Sequence, residues 1–138
     1  MFLLLTNNMK KIIESKNAPA ATGPFSHGVL HDHKYTLEVG GQVGLDPKTG
    51  KLVDGGIAAQ TEQTLKNIKA VLSEVGWTFK NLTKLRVFLV DFKDYGAMNG
   101  VYAKYLSEDS PARAAVAVKA LPLGALIEIE CVASGDKA

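Results

Sequence analysis

Hydrophobic positions recur along this chain with two periods, and the places where the period changes mark its elements. Ile57, Thr61, Leu65, Ile68, Leu72 and Val75 repeat at steps of four and three, which is the stripe of an α-helix. Lys66, Lys69 and Ser73 take its wet side, and Gly76 is its expected stop. Glu62 and Lys66, four apart, are expected to support each other on its surface. Met98, Tyr102, Tyr105 and Leu106 predict a second helix over Asp94–Leu106. Elsewhere the period is two. Leu85, Val87 and Leu89 alternate with Arg86 and Phe88, so Asn81–Asp91 reads as a strand. Lys10–Glu14 has mild strand character, and the breaker-rich run from Asn17 to Pro24 is loop. Phe25–Leu30 and Lys34–Val39 are two short strands, expected to form a hairpin through His31-Asp32-His33. Leu45-Asp46-Pro47-Lys48-Thr49-Gly50 is a strong turn signal.

Two strand-like runs, split by a Pro/Gly connection, fill Pro111–Glu130, and each carries a charge where a buried strand disfavours one. Alternation puts Arg113, Ala115 and Ala117 on one face of the first run and Ala114, Val116 and Val118 on the other. In the second, Ile127, Ile129 and Cys131 share a face, with Glu128 and Glu130 opposite. The order of strands, helix, strand, helix and two strands predicts an α+β domain with two helices on one face of a mixed sheet. The other face is expected to carry Ala115, Ala117 and Val132 beside its charges, too apolar for water, so a covering oligomer is expected.

Composition narrows the function classes. At 138 residues the chain fits one domain, assigned to residues 10–136 behind a flexible tail over residues 1–9, with Met9 as an alternative start. Sixteen Lys+Arg against fourteen Asp+Glu leave +2, too weak a field to argue for nucleic acid. A single cysteine rules out an internal disulfide framework and favours a reducing compartment, so the cytoplasm is the expected location. The apolar start, Phe2-Leu3-Leu4-Leu5, is too short for a signal peptide, and no stretch has the length of a membrane span.

Arg113 and Glu128 are the candidate chemistry. Arg113 follows Pro111-Ala112 and stands among alanines and valines, where a planar fork of donors suits a small carboxylate. Its rival reading is a surface or interface arginine paired with a carboxylate. A glutamate beside a half-apolar pocket suits a general base or proton carrier, against a solvated edge charge, and Glu130 is expected to be structural. In a plain hairpin centred on the Ala120–Ala125 connection, Arg113 would face Val132 and Glu128 would face Ala117, about 13 Å apart along the ladder. Either these strands do not form a hairpin, or the pocket forms across a subunit boundary; the second is preferred. His31, Asp32 and His33 lie in a turn without a ligand set, so no metal site is expected. His27 reads as a partly buried, hydrogen-bonded histidine, and Cys131 as an inert core thiol. Gly40, Gly41 and Gly44 lack the phosphate-loop pattern but allow close backbone approach to a small ligand. Asn99 is an amide that either reaches a pocket or sits exposed.

With these residues in hand, the chain resembles the Rid/YjgF family of reactive-intermediate deaminases, formerly called L-PSP endoribonucleases. The resemblance runs from about Lys10 to Ser134. It rests on the run from Asn17 to Ser26, Gly40-Gly41-Gln42, Asp46-Pro47-Lys48-Thr49-Gly50, Met98-Asn99-Gly100-Val101-Tyr102, and Pro111-Ala112-Arg113 followed by Ile127-Glu128-Ile129-Glu130. It implies a chorismate-mutase-like fold and a homotrimer with pockets between subunits. It also implies hydrolysis of 2-imino acids to 2-oxo acids and ammonia without a cofactor, since an imine carbon is already electrophilic. Arg113 would clamp the substrate carboxylate and Glu128 would handle the water, with Gly41, Ala115 and Asn99 lining the site. Phe25 stands where a tyrosine is common and Gly40 where a serine is, so two pocket hydroxyls are missing; Ala115 replaces a frequent cysteine. Two rival functions remain. The first is a ribonuclease that inhibits translation, for which no basic stripe with interleaved aromatics is present. The second is a non-catalytic metabolite-binding or chaperone-like trimer.

Overall fold

A computed structural model describes residues 9–138. The expected tail therefore lies outside the described residues, apart from Met9. Eight elements follow in order: β1 (Lys10–Ile13), β2 (Gly28–His31), β3 (Tyr35–Val43), α1 (Gly56–Ser73), β4 (Leu82–Leu89), α2 (Tyr95–Leu106), β5 (Ala112–Ala117) and β6 (Ile127–Gly135). The helical stripe does its expected work. Thr61, Leu65, Ile68 and Leu72 of α1 are buried, and Gly76, at φ 74°, follows where the helix stops. Glu62 does not pair with Lys66; it accepts a hydrogen bond from the Tyr105 hydroxyl of α2, tying the two helices together.

The main sheet has the order β3-β6-β4-β5, with β4 and β5 parallel and the other pairs antiparallel. Parallel β4 and β5 need a crossover, and α2 supplies it. Leu85, Val87 and Leu89 of β4 stand on rungs with Cys131, Ile129 and Ile127 of β6. Both helices cover this face: Leu65, Ile68, Leu72, Met98, Tyr102 and Leu106 join it in one apolar core.

Three expectations are corrected. The two final strands do not form a hairpin, because β4 lies between them and pairs with both. The expected β2–β3 hairpin is absent too: β2 pairs with β1 as a separate two-stranded sheet, and β3 pairs with β6. The connecting turn is stapled to both ends of the described chain. Asp32 exchanges hydrogen bonds with Met9, His33 Nδ1 lies 2.8 Å from the Ser134 hydroxyl, and Asp136 accepts from the Lys34 amide. Those bonds hold the two strands in different sheets. Finally, Ala115 and Ala117 share rungs with Val87 and Leu89 on the helix side, so they do not face outward as expected. The uncovered face instead carries Ala114, Val116, Phe88 and Val132 around the Arg86–Glu130 ion pair.

Asn67 locks the end of β3 and its turn onto α1. Its amide nitrogen donates to the carbonyls of Val43 and Leu45, at 3.1 and 2.9 Å, and its carbonyl accepts from Gln63. Replacing it leaves two half-buried carbonyls without this donor. Asn67→Ala is expected to lower the unfolding free energy by about 1–3 kcal/mol, read as a shift in urea midpoint. An unchanged midpoint would show that water replaces the amide without loss.

Candidate functional site

Arg113 points to the helix side because it shares a rung with Leu85, but at the edge of the sheet, where α2 and the loop before β2 close over it. It is 8% exposed. Its guanidinium carbon lies 4.7 Å from the ring centre of Tyr102, 5.1 Å from Phe25 and 5.6 Å from Tyr95, so three aromatic faces surround the charge. Nη1 donates to Asn99 Oδ1 at 2.8 Å and lies 4.0 Å from the Met98 sulfur, while Nη2 donates to the Tyr95 hydroxyl at 3.1 Å. Among the described residues no carboxylate forms an ion pair with it. A buried cation held by neutral groups alone offers half of an ion pair, the kind of group suited to an anionic ligand.

The loop that brings Phe25 to this cation is anchored on its own account. Ser26 bridges to Ala112 at the start of β5, its amide bonded to Pro111 O and its hydroxyl donating to Ser110 O. His27, as expected, is partly buried and hydrogen-bonded: Nδ1 accepts from the Ser15 amide at 3.0 Å and Nε2 lies 2.7 Å from Pro19 O. With Nε2 protonated, the ring clasps both sides of the loop.

Glu128 belongs to a second constellation. It shares a rung with Phe88 on the uncovered face, half-buried, against a bulge in β3 where Gly40 and Gly41 interrupt the pairing between Val39 and Gln42. A Cβ on Gly41 would lie 2.7 Å from Glu128 Oε1, so only glycine lets the carboxylate rest on that backbone. The structure therefore brings Gly41 to Glu128, with Gly40 exposed beside them, and brings Phe25 and Asn99 to Arg113. Ala115 packs its side chain toward the core, which leaves its backbone at the strand edge for any contact with a ligand.

Within one chain the two groups do not meet. Arg113 and Glu128 are three rungs and two strand spacings apart, about 14 Å between backbones, and on opposite faces of the sheet. The removal of the hairpin does not rescue a single-chain site. Neither of two surface clefts, of 610 and 540 Å³, includes either residue: the first runs along Lys10, Phe79, Lys80 and Tyr105, the second around Trp77, Gly135 and Asp136. Among the described residues there is no group of three metal-ligating side chains, and no helix is long and apolar enough to cross a membrane.

Sequence reading missed Tyr95, Met98 and Tyr102 as partners of the arginine. Their signal was present as spacing: Tyr95, Met98, Asn99 and Tyr102 fall at steps of three, one and three, one face of a helix. The polar Asn99 on that apolar face marks it as more than core. The Tyr102 hydroxyl is fully buried with no hydrogen-bond partner of good geometry, and burial pushes its pKa upward, partly offset by Arg113.

A family profile described as Endoribonuclease L-PSP matches residues 15–134. The rat protein named 2-iminobutanoate/2-iminopropanoate deaminase is 43% identical over 129 residues, covering 94% of this chain and 93% of the relative. Among solved structures, the Rid-family protein YyfB from Yersinia pestis superposes with a TM-score of 0.80 at 34% identity, covering 91% of this chain and 98% of that one. RidA from an Antarctic Psychrobacter gives a TM-score of 0.69 at 40% identity over 90% of this chain and 98% of its own.

Cys131, on the rung beside Leu85, is buried, and its thiol is pushed up to about 12, first by burial and then by the Glu130 charge. Iodoacetamide at pH 8 is expected to leave it unmodified in the folded protein and to label it in urea. Burial holds on the folded protein a proton that the unfolded chain releases above its ordinary 9.0. Stability contributed in this way is complete below pH 9.0 and is lost as pH rises toward about 12. Unfolding measured across that range should show a shallower fall in Cys131→Ala. Rapid native labelling, or an identical slope in the variant, would contradict the buried thiol.

Proposed function

The chain belongs to the endoribonuclease L-PSP family, and from that premise we propose that it hydrolyses small 2-imino acids, 2-iminobutanoate and 2-iminopropanoate, to 2-oxo acids and ammonia. One observation carries the reading: Arg113 is a nearly buried cation with no carboxylate paired to it among the described residues, enclosed by rings and neutral acceptors, and so disposed to take a substrate carboxylate. The relatives named as deaminases of such imines support a small substrate that carries a carboxylate.

Because Arg113 and Glu128 face opposite sides of one sheet, the proposed site lies between copies of this chain. Arg113, Asn99 and Phe25 come from one copy, Glu128 and Gly41 from the next, and a homotrimer closes the ring. The apolar uncovered face, with Val116 46% exposed, supports such an assembly. The substrate's carboxylate lies on the guanidinium, which fixes C2 of the imine. Glu128 takes a proton from water as the oxygen adds to C2, and the C=N pair moves to nitrogen. Proton transfer through Glu128 then makes the amine a leaving group, ammonia departs, and the C=O bond forms. The balance is imine plus water to oxo acid plus ammonia. Placement and the fixed positive charge supply the catalysis, with no cofactor. Phe25 and Gly40 bring no hydroxyl to this pocket, which bears on substrate preference more than on reaction type. The proposed unit is residues 10–136, acting in the cytoplasm beside the dehydratases that release such imines.

Added to a threonine dehydratase reaction with semicarbazide present, the protein is expected to hydrolyse the free imine before it is trapped and so to slow formation of the imine-derived semicarbazone. Arg113→Ala and Glu128→Gln should each lower kcat/KM about a hundredfold or more. Refolded as an equal mixture, the two inactive variants should recover about a quarter of parental activity, since random assembly rebuilds that share of complete sites. Unchanged semicarbazone formation would overturn the deaminase reading, and RNA cleavage surviving repurification would favour the ribonuclease. A fully active monomer would overturn the shared site.

A further inference from the structure

Arg113 is useful as a carboxylate grip only if its plane is fixed, and α2 fixes it from one end. Asn99 Oδ1 holds Nη1 at 2.8 Å and the Tyr95 hydroxyl holds Nη2 at 3.1 Å. Among the described residues nothing accepts from Nε, and Nη2 donates only one of its two hydrogens, so Nε and Nη2 keep donors for a ligand. The Tyr95 ring is itself immobilised: it stacks on Phe92 at 4.7 Å and 13°. On the other side the loop presses in at Gly23, where a Cβ would lie 3.2 Å from Arg113 Nη2 and 3.3 Å from the Tyr95 oxygen. The hydrogen bond between them is thus roofed by backbone.

We propose that Tyr95 is a positioning residue for the carboxylate grip, its hydroxyl setting the plane in which Arg113 presents the Nε–Nη2 edge to substrate. This inference rests on the imine-hydrolysis reading for its substrate, but its geometry concerns any small 2-oxo or 2-imino carboxylate. Tyr95 acts through the arginine and does not touch the ligand. The two hydrogens on Nη2 diverge by about 120°, so a carboxylate oxygen on the free one stands roughly 5 Å from the Tyr95 oxygen, beyond hydrogen-bond reach. Asn99 fixes only the Nη1 end by hydrogen bonding and leaves the Nη2 end to the looser constraint of the surrounding rings. Tyr95 supplies the second fixed point, and these two together with the covalent attachment through Nε fix the plane. The effect falls on binding of the charged end, which is the same in ground and transition states, so it appears in KM and not in kcat.

Calorimetric titration with 2-oxobutanoate and its uncharged counterpart 2-oxobutanamide tests this directly, with melting temperature as a check on folding. Tyr95→Phe keeps the ring and its stacking on Phe92. It is expected to weaken 2-oxobutanoate about tenfold and 2-oxobutanamide less than about twofold, and to raise KM for the imine about tenfold with kcat nearly unchanged. An unchanged affinity for 2-oxobutanoate would overturn the proposal. So would an equal loss for both ligands, or a fall in kcat alone, either of which marks a merely structural tyrosine. Selective loss of 2-oxobutanoate binding in a protein that turns over no imine would sustain Tyr95's role and overturn the deaminase reading. Failure of the parent protein to bind 2-oxobutanoate would overturn both.

Discussion

Taking a guanidinium out of water costs several kcal/mol unless something restores what the solvent gave. At Arg113 the chain supplies three aromatic faces, an amide oxygen and a phenol oxygen, all neutral, and among the described residues no carboxylate is paired with it. Much of the architecture follows from holding that charge in place. The parallel pairing of β4 and β5 requires a crossover helix, and the helix that makes the crossover also carries Tyr95, Asn99 and Tyr102 to the edge of the sheet. The Ser26–Ala112 bridge brings Phe25 over the remaining side. An arginine satisfied in this way can be buried without an ion pair among the described residues, which suits the binding role proposed for it.

The carboxylate proposed for the chemistry lies on the other face. Glu128 rests against the Gly41 backbone at a bulge, where a side chain would displace it, and the sheet separates it from Arg113. Separation prevents the two from quenching each other within one chain. The price in a monomer is two incomplete constellations and an apolar sheet face exposed at Val116. In the proposed mechanism, assembly of copies would answer both at once and so couple catalysis to oligomer formation.

Alternation and helical spacing carried the local structure well. Leu85, Val87 and Leu89, the α1 stripe, and the opposed faces of Ile127-Glu128-Ile129 all stand as the pattern indicates, because a residue's face is set by its immediate neighbours. The candidate site was legible in part for the same reason: Arg113, Glu128, Asn99, Phe25 and Gly41 were marked by residue type and by a shared motif set. Pairing was less legible. A hairpin is the cheapest guess for strands close in sequence, and it failed for β5 and β6 and again for β2 and β3, since a third strand or a chain terminus offered better partners.

By itself, then, the sequence determined which segments are helix and strand, which side chains of a strand share a face, and which arginine and glutamate stand apart from the core pattern. Those are properties of backbone geometry acting over a few residues. Tertiary structure alone decided that β4 enters between β5 and β6, that Arg113 is enclosed by Tyr95, Asn99 and Tyr102, and that Glu128 lies across the sheet from it. The physical reason is that strand order and burial are set by competition among distant segments for one apolar core, and no local spacing records the outcome of that competition.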